Sequence, residues 1–179
     1  VATEVTSLDP VAKTVLVKDW HKNDEYTLSY DKLILSPGAS PVIPPIPGIE
    51  RALTLRTVED VEKIADRVNA MPKSAVVIGG GFIGVEIAEN LVHKGIPTTV
   101  VEAAPQVLAP LDPEMATLVA KEMRLQKVDL RLGAGVTSIN EKSVTLASGD
   151  ELPADLVIMA IGVKPDVSLA KEAGLTIGT

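Results

Sequence analysis

The sequence predicts an α/β fold, built on a doubly wound parallel sheet, with a smaller β-rich segment ahead of it. Three observations predict it. The β-branched run Ser74-Ala75-Val76-Val77-Ile78 enters a glycine-rich turn, Gly79-Gly80-Gly81-Phe82-Ile83-Gly84. Helical periodicity follows at once: Gly84, Ile87, Ala88 and Leu91 share one face, and Glu86, Glu89, Asn90 and His93 take the outer one. Gly95 stands where a helix C-terminal glycine belongs, and a second strand, Pro97-Thr98-Thr99-Val100-Val101, ends in Glu102.

Together these make a G-x-G-x-x-G turn in a strand–turn–helix–strand setting, a Rossmann-like dinucleotide-binding signature. Each glycine has a separate task. Gly79 permits the tight turn, Gly81 lets backbone approach a pyrophosphate, and Gly84 lets the helix pack closely on its strand. Backbone N–H groups and the helix dipole then face the phosphates. Glu102 lies at the second strand's end, where a carboxylate accepts hydrogen bonds from both adenosine ribose hydroxyls. A 2′-phosphate would meet that charge and be repelled, so the expected cofactor is NAD(H) rather than NADP(H).

The remaining elements follow in order. Val5–Leu8 and Lys13–Lys18 flank an Asp9-Pro10 turn, and Tyr26–Tyr30 precedes an expected strand over Lys32–Leu35. Pro41, Pro44, Pro45 and Pro47 then make a stiff connector, where the domain boundary is expected. Thr57-Val58-Glu59-Asp60 reads as a capping box opening a helix with Val58, Val61, Ile64, Ala65 and Val68 on one stripe, stopped before Pro72. Asp112-Pro113-Glu114 opens another helix with an N-cap acid and a first-turn proline. Val128–Leu132 is the third parallel strand, Val136–Ile139 and Ser143–Ala147 form a hairpin, and Asp155–Gly162 is a buried strand ending in glycine.

Composition narrows the function. A chain of 179 residues, 46% hydrophobic, can bury one good core and part of a second. The net charge of −7 argues against a nucleic-acid or anionic-membrane surface. No apolar run approaches the roughly 20 residues of a membrane span, and no signal segment opens the chain, so the expected location is cytoplasmic. With no cysteine, these residues carry no thiol chemistry of their own. His21 and His93 sit in polar settings and read as neither catalytic bases nor metal ligands; Asp112 and Glu114 read as helix-start chemistry. No metal site and no catalytic grouping is expected. On pattern alone Phe82 reads as helix-start core and Glu86 as a solvated helix-face acid.

Five separated segments carry a family resemblance. Leu35-Ser36-Pro37-Gly38-Ala39, Ile46-Pro47-Gly48, Gly79 to Glu86, Asp112-Pro113-Glu114-Met115 and Ala160-Ile161-Gly162-Val163-Lys164-Pro165 occur in an order and spacing that resembles the FAD-dependent pyridine nucleotide-disulfide oxidoreductases. Within that family the pattern is similar to the coenzyme A-disulfide reductase, NADH oxidase and persulfide reductase subgroup. The resemblance implies an FAD domain interrupted by an NAD domain: residues 1–45 a β-rich part of the first, 46–163 the NAD(H)-binding domain, and 164–179 the return to FAD. It implies that Gly79, Gly81, Phe82, Ile83 and Gly84 line the NADH path, with Phe82 as an aromatic gate over the flavin. By the same resemblance Glu86 approaches the nicotinamide carboxamide and Gly162 its ribose. Ser36, Pro37 and Gly38 would touch FAD, and the Val5 backbone its adenine. The implied reaction passes a hydride from NADH to FAD and on to coenzyme A disulfide or a persulfide, in a homodimer. A flavin NADH oxidase, an electron-transfer reductase or a non-catalytic NAD-binding module are the alternatives. The family's N-terminal flavin glycine motif, redox cysteine, C-terminal Gly-Asp motif and dimerisation domain are expected outside these 179 residues.

Overall fold

A computed structural model describes residues 2–178; Val1 and Thr179 lie outside the described residues. In chain order the elements begin with β1 (Thr3–Asp9), β2 (Thr14–Asp19), β3 (Asp24–Ser29), β4 (Ala39–Pro41), β5 (Leu53–Thr54), α1 (Val58–Asn69), β6 (Ala75–Ile78), α2 (Phe82–His93) and β7 (Thr98–Glu102). They continue with α3 (Pro113–Leu125), β8 (Asp129–Leu132), β9 (Val136–Ile139), β10 (Ser143–Leu146), β11 (Glu151–Pro153), β12 (Leu156–Met159), β13 (Val163–Pro165) and α4 (Ser168–Glu172). The chain divides into two units: residues 1–40 with 164–179, and residues 41–163. Strands β4 and β13, at the two crossings, pair as a two-stranded ribbon.

In the larger unit a five-stranded sheet runs in the order β5-β12-β6-β7-β8. Its pairings are all parallel. Strand β6 is Ala-Val-Val-Ile and wholly buried, because a parallel strand covered on both faces has no solvent side to carry polar residues. Its side chains alternate between two cores. Ala75 and Val77 join Val100, Leu156 and Ile158 beneath the helices, meeting Ile87, Ala88 and Leu91 of α2 and Ala120 and Met123 of α3. Val76 and Ile78 join Val101, Val157 and Met159 on the opposite face. Each such Val or Ile side chain contributes about 1.5–3 kcal/mol by leaving water.

The α/β class and the Rossmann-like parallel sheet stand as expected, but the second face differs from a helix-covered one. There a three-stranded antiparallel meander, β9-β10-β11, lays Ile139, Val144, Leu146 and Leu152 on the sheet. The predicted hairpin is that cover. Its period-2 alternation carries the chain from edge strand β8 back to interior strand β12, where a doubly wound sheet would use a helix.

Local signals explain the helix ends. Thr57 Oγ1 accepts from the Asp60 N–H at 3.3 Å, and Asp60 Oδ2 accepts from the Thr57 N–H at 3.1 Å, completing the capping box. Helix α2 ends in a Schellman motif: the Gly95 N–H donates to Val92 O and the Ile96 N–H to Leu91 O, with Ile96 and Leu91 both in the core. Asp112 does occupy the N-cap of α3 ahead of Pro113, but its side chain makes no capping hydrogen bond.

In the smaller unit β1, β2 and β3 form an antiparallel meander. Asp9 Oδ1 accepts from the Val11 and Ala12 N–H groups at 2.9 and 2.8 Å, which is the turn that Asp9-Pro10 foretold. Leu8, Val15 and Val17 are buried against Tyr30 and against Leu169 and Ala173 from the α4 segment. The strand expected over Lys32–Leu35 does not form. Those residues are exposed and have no partner strand among the described residues, and strand-prone side chains alone do not hold an unpaired strand in water.

Asp155 ties the amino end of β12 to its neighbours. Its Oδ2 accepts from the Lys73 N–H at 2.9 Å, and its Oδ1 pairs with Lys142 Nζ at 3.0 Å. The Lys142 ammonium and then the Lys73 N–H hold its carboxyl below the ordinary carboxylate range. A group whose folded value is depressed adds stability above its unfolded value, about 3.9, and loses it as pH falls below that. The urea midpoint should therefore drop as pH falls from about 4. Asp155→Asn should lower the midpoint at pH 7 and flatten its acid limb; an acid limb as steep as wild type would remove Asp155 from the linkage.

Candidate functional site

The glycine loop opens at the carboxyl end of β6. The Gly79 N–H donates to Val101 O at 2.8 Å, extending the β6–β7 pairing by one step. Gly79 then turns at φ 112°, a conformation that L side chains rarely adopt, and a Cβ there would lie 2.4 Å from the Ala160 carbonyl oxygen. A Cβ on Gly84 would lie 1.9 Å from Gly79 O, so the first turn of α2 rests directly on the loop. A Cβ on Gly80 would sit 3.1 Å from Glu102 Cβ. Gly81 is different. Its φ is −76°, open to any residue, and a Cβ built there meets nothing within 4 Å. The protein's own packing accounts for Gly79, Gly80 and Gly84 and leaves Gly81 without an internal reason.

Gly81 is also the N-cap of α2 and has no side chain to cap it. The first turn contains no acidic residue, so the helix dipole and its leading N–H groups are not offset by a carboxylate on the helix itself. Glu102, at the end of β7, is half-buried. Its Oε2 accepts from the Gly80 N–H at 2.6 Å and its Oε1 from the Ala104 N–H at 2.7 Å. Each carboxylate oxygen has a second acceptor position left for a ligand hydroxyl.

Gly79 and Glu102 line one cleft of about 380 Å³ with Ile78, Gly135, Met159 and Ile161. It lies at the carboxyl ends of β6, β7 and β12, where ligands bind in open α/β sheets. Sequence reasoning did not single out Gly135 or Ile161. A signal existed in Gly133-Ala134-Gly135 just past the third strand: the Gly133 N–H donates to Ala104 O and the Ala134 N–H to Glu102 O, tying the two strand-end loops together.

Phe82, Ile83 and Glu86 face elsewhere. They line an apolar groove of about 500 Å³ with Val61, Ile64 and Val68 of α1. Phe82 is 60% exposed, so the helix-start core reading fails for it. Glu86 is exposed on α2, as its polar face requires. Gly162 is exposed past the end of β12 at φ 117°, and its carbonyl accepts from the Val42 N–H at 3.0 Å. In the smaller unit Ser36, Pro37 and Gly38 are exposed and outside any regular element, with Gly38 O accepting from the Asp166 N–H. Val5 is 37% exposed on β1. The structure thus groups Gly79, Gly80, Gly81, Gly84 and Glu102 at one loop, and Phe82, Ile83 and Glu86 on one helix face. His21 and His93 are exposed, and the described residues include no group of three His, Cys, Asp or Glu that could hold a metal ion.

Known proteins give this geometry a family. The family model described as pyridine nucleotide-disulphide oxidoreductase matches residues 1–179. The NADH oxidase of Methanocaldococcus jannaschii is 38% identical across 99% of this chain, and the chain spans 42% of that relative's length. Among solved structures, the reduced Bacillus anthracis CoADR-RHD matches at TM-score 0.91 and 46% identity, over 98% of this chain and 33% of that one. The NAD-dependent persulfide reductase from A. fulgidus matches at TM-score 0.89 and 38% identity, over 98% of this chain and 34% of that one. Matched along residues 1–179 by that model, the chain belongs to the pyridine nucleotide-disulphide oxidoreductase family.

Proposed function

We propose that this chain is the NADH-binding portion of an FAD-dependent oxidoreductase that carries reducing equivalents from NADH to a disulfide or persulfide acceptor such as coenzyme A disulfide. In net terms NADH, one proton and R–S–S–R give NAD⁺ and two thiols. The relatives named above support the reaction class. One observation carries the NADH part: Gly81 is a glycine with open space before it and no internal contact to require it, at an uncapped helix N-terminus. A pyrophosphate pressed against backbone needs that space.

Residues 46–163 are the NAD(H)-binding domain in this reading, flanked by 1–45 and 164–179 as parts of an FAD domain. Gly81, Phe82, Ile83 and Gly84 present backbone N–H groups to the pyrophosphate. Glu102 takes the adenosine ribose hydroxyls, and its charge excludes a 2′-phosphate. Gly79 and Gly84 hold the loop's shape. Phe82 supplies an exposed ring for the flavin side, with Ile83 beside it. Glu86 is the acid for the nicotinamide carboxamide, and Gly162 the backbone for the nicotinamide ribose. Bound nicotinamide supplies the hydride, while these residues bind and orient it. Ser36, Pro37, Gly38 and the Val5 backbone are contact points for FAD. They include no glycine loop and no helix N-terminus to hold a second pyrophosphate, so those four residues alone do not hold a flavin. A redox-active cysteine elsewhere, a homodimeric whole protein and a cytoplasmic location complete the proposal. No helix among the described residues is long and apolar enough to cross a membrane.

Two glycines separate the binding role from packing. Gly81→Ala should melt within about 1 kcal/mol of wild type, since its φ and surroundings accept a methyl, yet lose at least about tenfold in NADH affinity, some 1.4 kcal/mol. Gly84→Ala should lose about 1–3 kcal/mol of stability or more, because its methyl meets a backbone oxygen. Thermal melts beside calorimetric titration read both; a Gly81→Ala protein that binds NADH at wild-type strength overturns the site. Glu102→Arg should shift the preference from NADH toward NADPH, a relative swing of about 2–4 kcal/mol given charge-assisted bonds worth about 1.5–3 kcal/mol each, while a guanidinium, which has no acceptor, leaves the Gly80 N–H unpaired. A wild type that already prefers NADPH contradicts the Glu102 assignment.

A further inference from the structure

Glu102 makes two hydrogen bonds before any nucleotide arrives, and both go to backbone. Its carboxylate bridges the Gly80 N–H, inside the glycine loop, and the Ala104 N–H, in the loop after β7. Gly80 is held from its other side as well: its carbonyl accepts from the Leu108 N–H at 2.8 Å. Leu108 is buried and sits at φ 49°, a left-handed conformation that a leucine keeps only where its surroundings hold it. Glu102 Oε2 also lies 3.2 Å from where a Gly80 Cβ would be, so the second glycine of the run leaves just enough room for the carboxylate. The motif spacing asks nothing of this position.

We propose that Glu102 is a positioning residue for the glycine loop, in addition to any contact with ribose. The brace Ala104–Glu102–Gly80–Leu108 fixes the loop between β6 and α2 to the loop after β7. It holds Gly81 and the α2 N-terminus in a phosphate-ready shape in the free protein. Without the carboxylate, the N–H groups of buried Gly80 and half-buried Ala104 lose the acceptor each has among the described residues, and the loop is free to leave that shape. The brace stands on the geometry alone, whereas its consequence for nucleotide affinity rests on the NAD(H) reading.

The test uses Glu102→Ala and Glu102→Gln in nucleotide-free protein, with residue-resolved amide exchange. A second arm measures the affinities of ADP and of 2′,3′-dideoxyadenosine 5′-diphosphate, which offers Glu102 no ribose hydroxyl. Glu102→Ala should speed Gly80 and Ala104 exchange at least tenfold while Val77 and Val100 stay protected. It should also weaken the dideoxy ligand at least threefold. Glu102→Gln, which keeps one acceptor oxygen, should restore protection at one of the two amides and keeps the test alive if the alanine variant does not fold. Unchanged Gly80 and Ala104 exchange in both variants, or dideoxy-ligand affinity equal to wild type, overturns the proposal. Faster exchange with an equal fractional loss for both ligands upholds the brace and instead removes the ribose contact from the NAD(H) reading.

Discussion

The close approach of α2 to the end of β6 governs the rest of this molecule. Gly84 sets the helix against the Gly79 carbonyl, where even a methyl group would collide, and Gly79 turns against the backbone of Ala160. That contact is possible because Gly84 carries no side chain, and β6, buried on both faces, is held in place beneath it. The helix N-terminus is thereby aimed over the carboxyl edge of the sheet. The strand's position is in turn held by two cores on opposite sides of it, one helical and one a β-meander. A loosened core residue such as Val77 would move the helix start, and with it every N–H that a phosphate could use.

Some of this was legible in the sequence, and for specific physical reasons. The buried face of α2 falls on Gly84, Ile87, Ala88 and Leu91, as the 3.6-residue period requires, and the capping box at Thr57 and Asp60 forms as its spacing predicts. The hairpin over residues 136–147 was legible because alternation and a short turn are local properties. Its destination was not, since nothing local says which sheet face a hairpin will cover. Lys32–Leu35 misled for a related reason: apolar and strand-prone residues describe a willing strand, while a strand exists only with a partner.

The site shows the same division. Spacing located the loop and Glu102, because a glycine run after a buried strand and an acid ending the next strand are sequence patterns. It gave no role to Gly80, which the motif treats as a free position, nor a place in the cleft to Gly135 and Ile161, which reach it from the loops after β8 and β12. The brace through Glu102 links these levels. A carboxylate bound to two backbone N–H groups is part of the loop's architecture and, on the proposed reading, also the charge a nucleotide would meet. Changing that residue to alter cofactor choice therefore also removes an acceptor from Gly80, and a replacement side chain must supply one.

On the proposed reading, the space before Gly81 belongs to the pyrophosphate of NADH. A crystal structure of the protein with NADH bound tests it most directly. The account predicts pyrophosphate oxygens about 3 Å from the N–H groups that open α2, and the adenosine ribose hydroxyls on the Glu102 carboxylate with its bond to Gly80 intact. A nucleotide seated elsewhere, or an adenosine ribose turned away from Glu102, would contradict it.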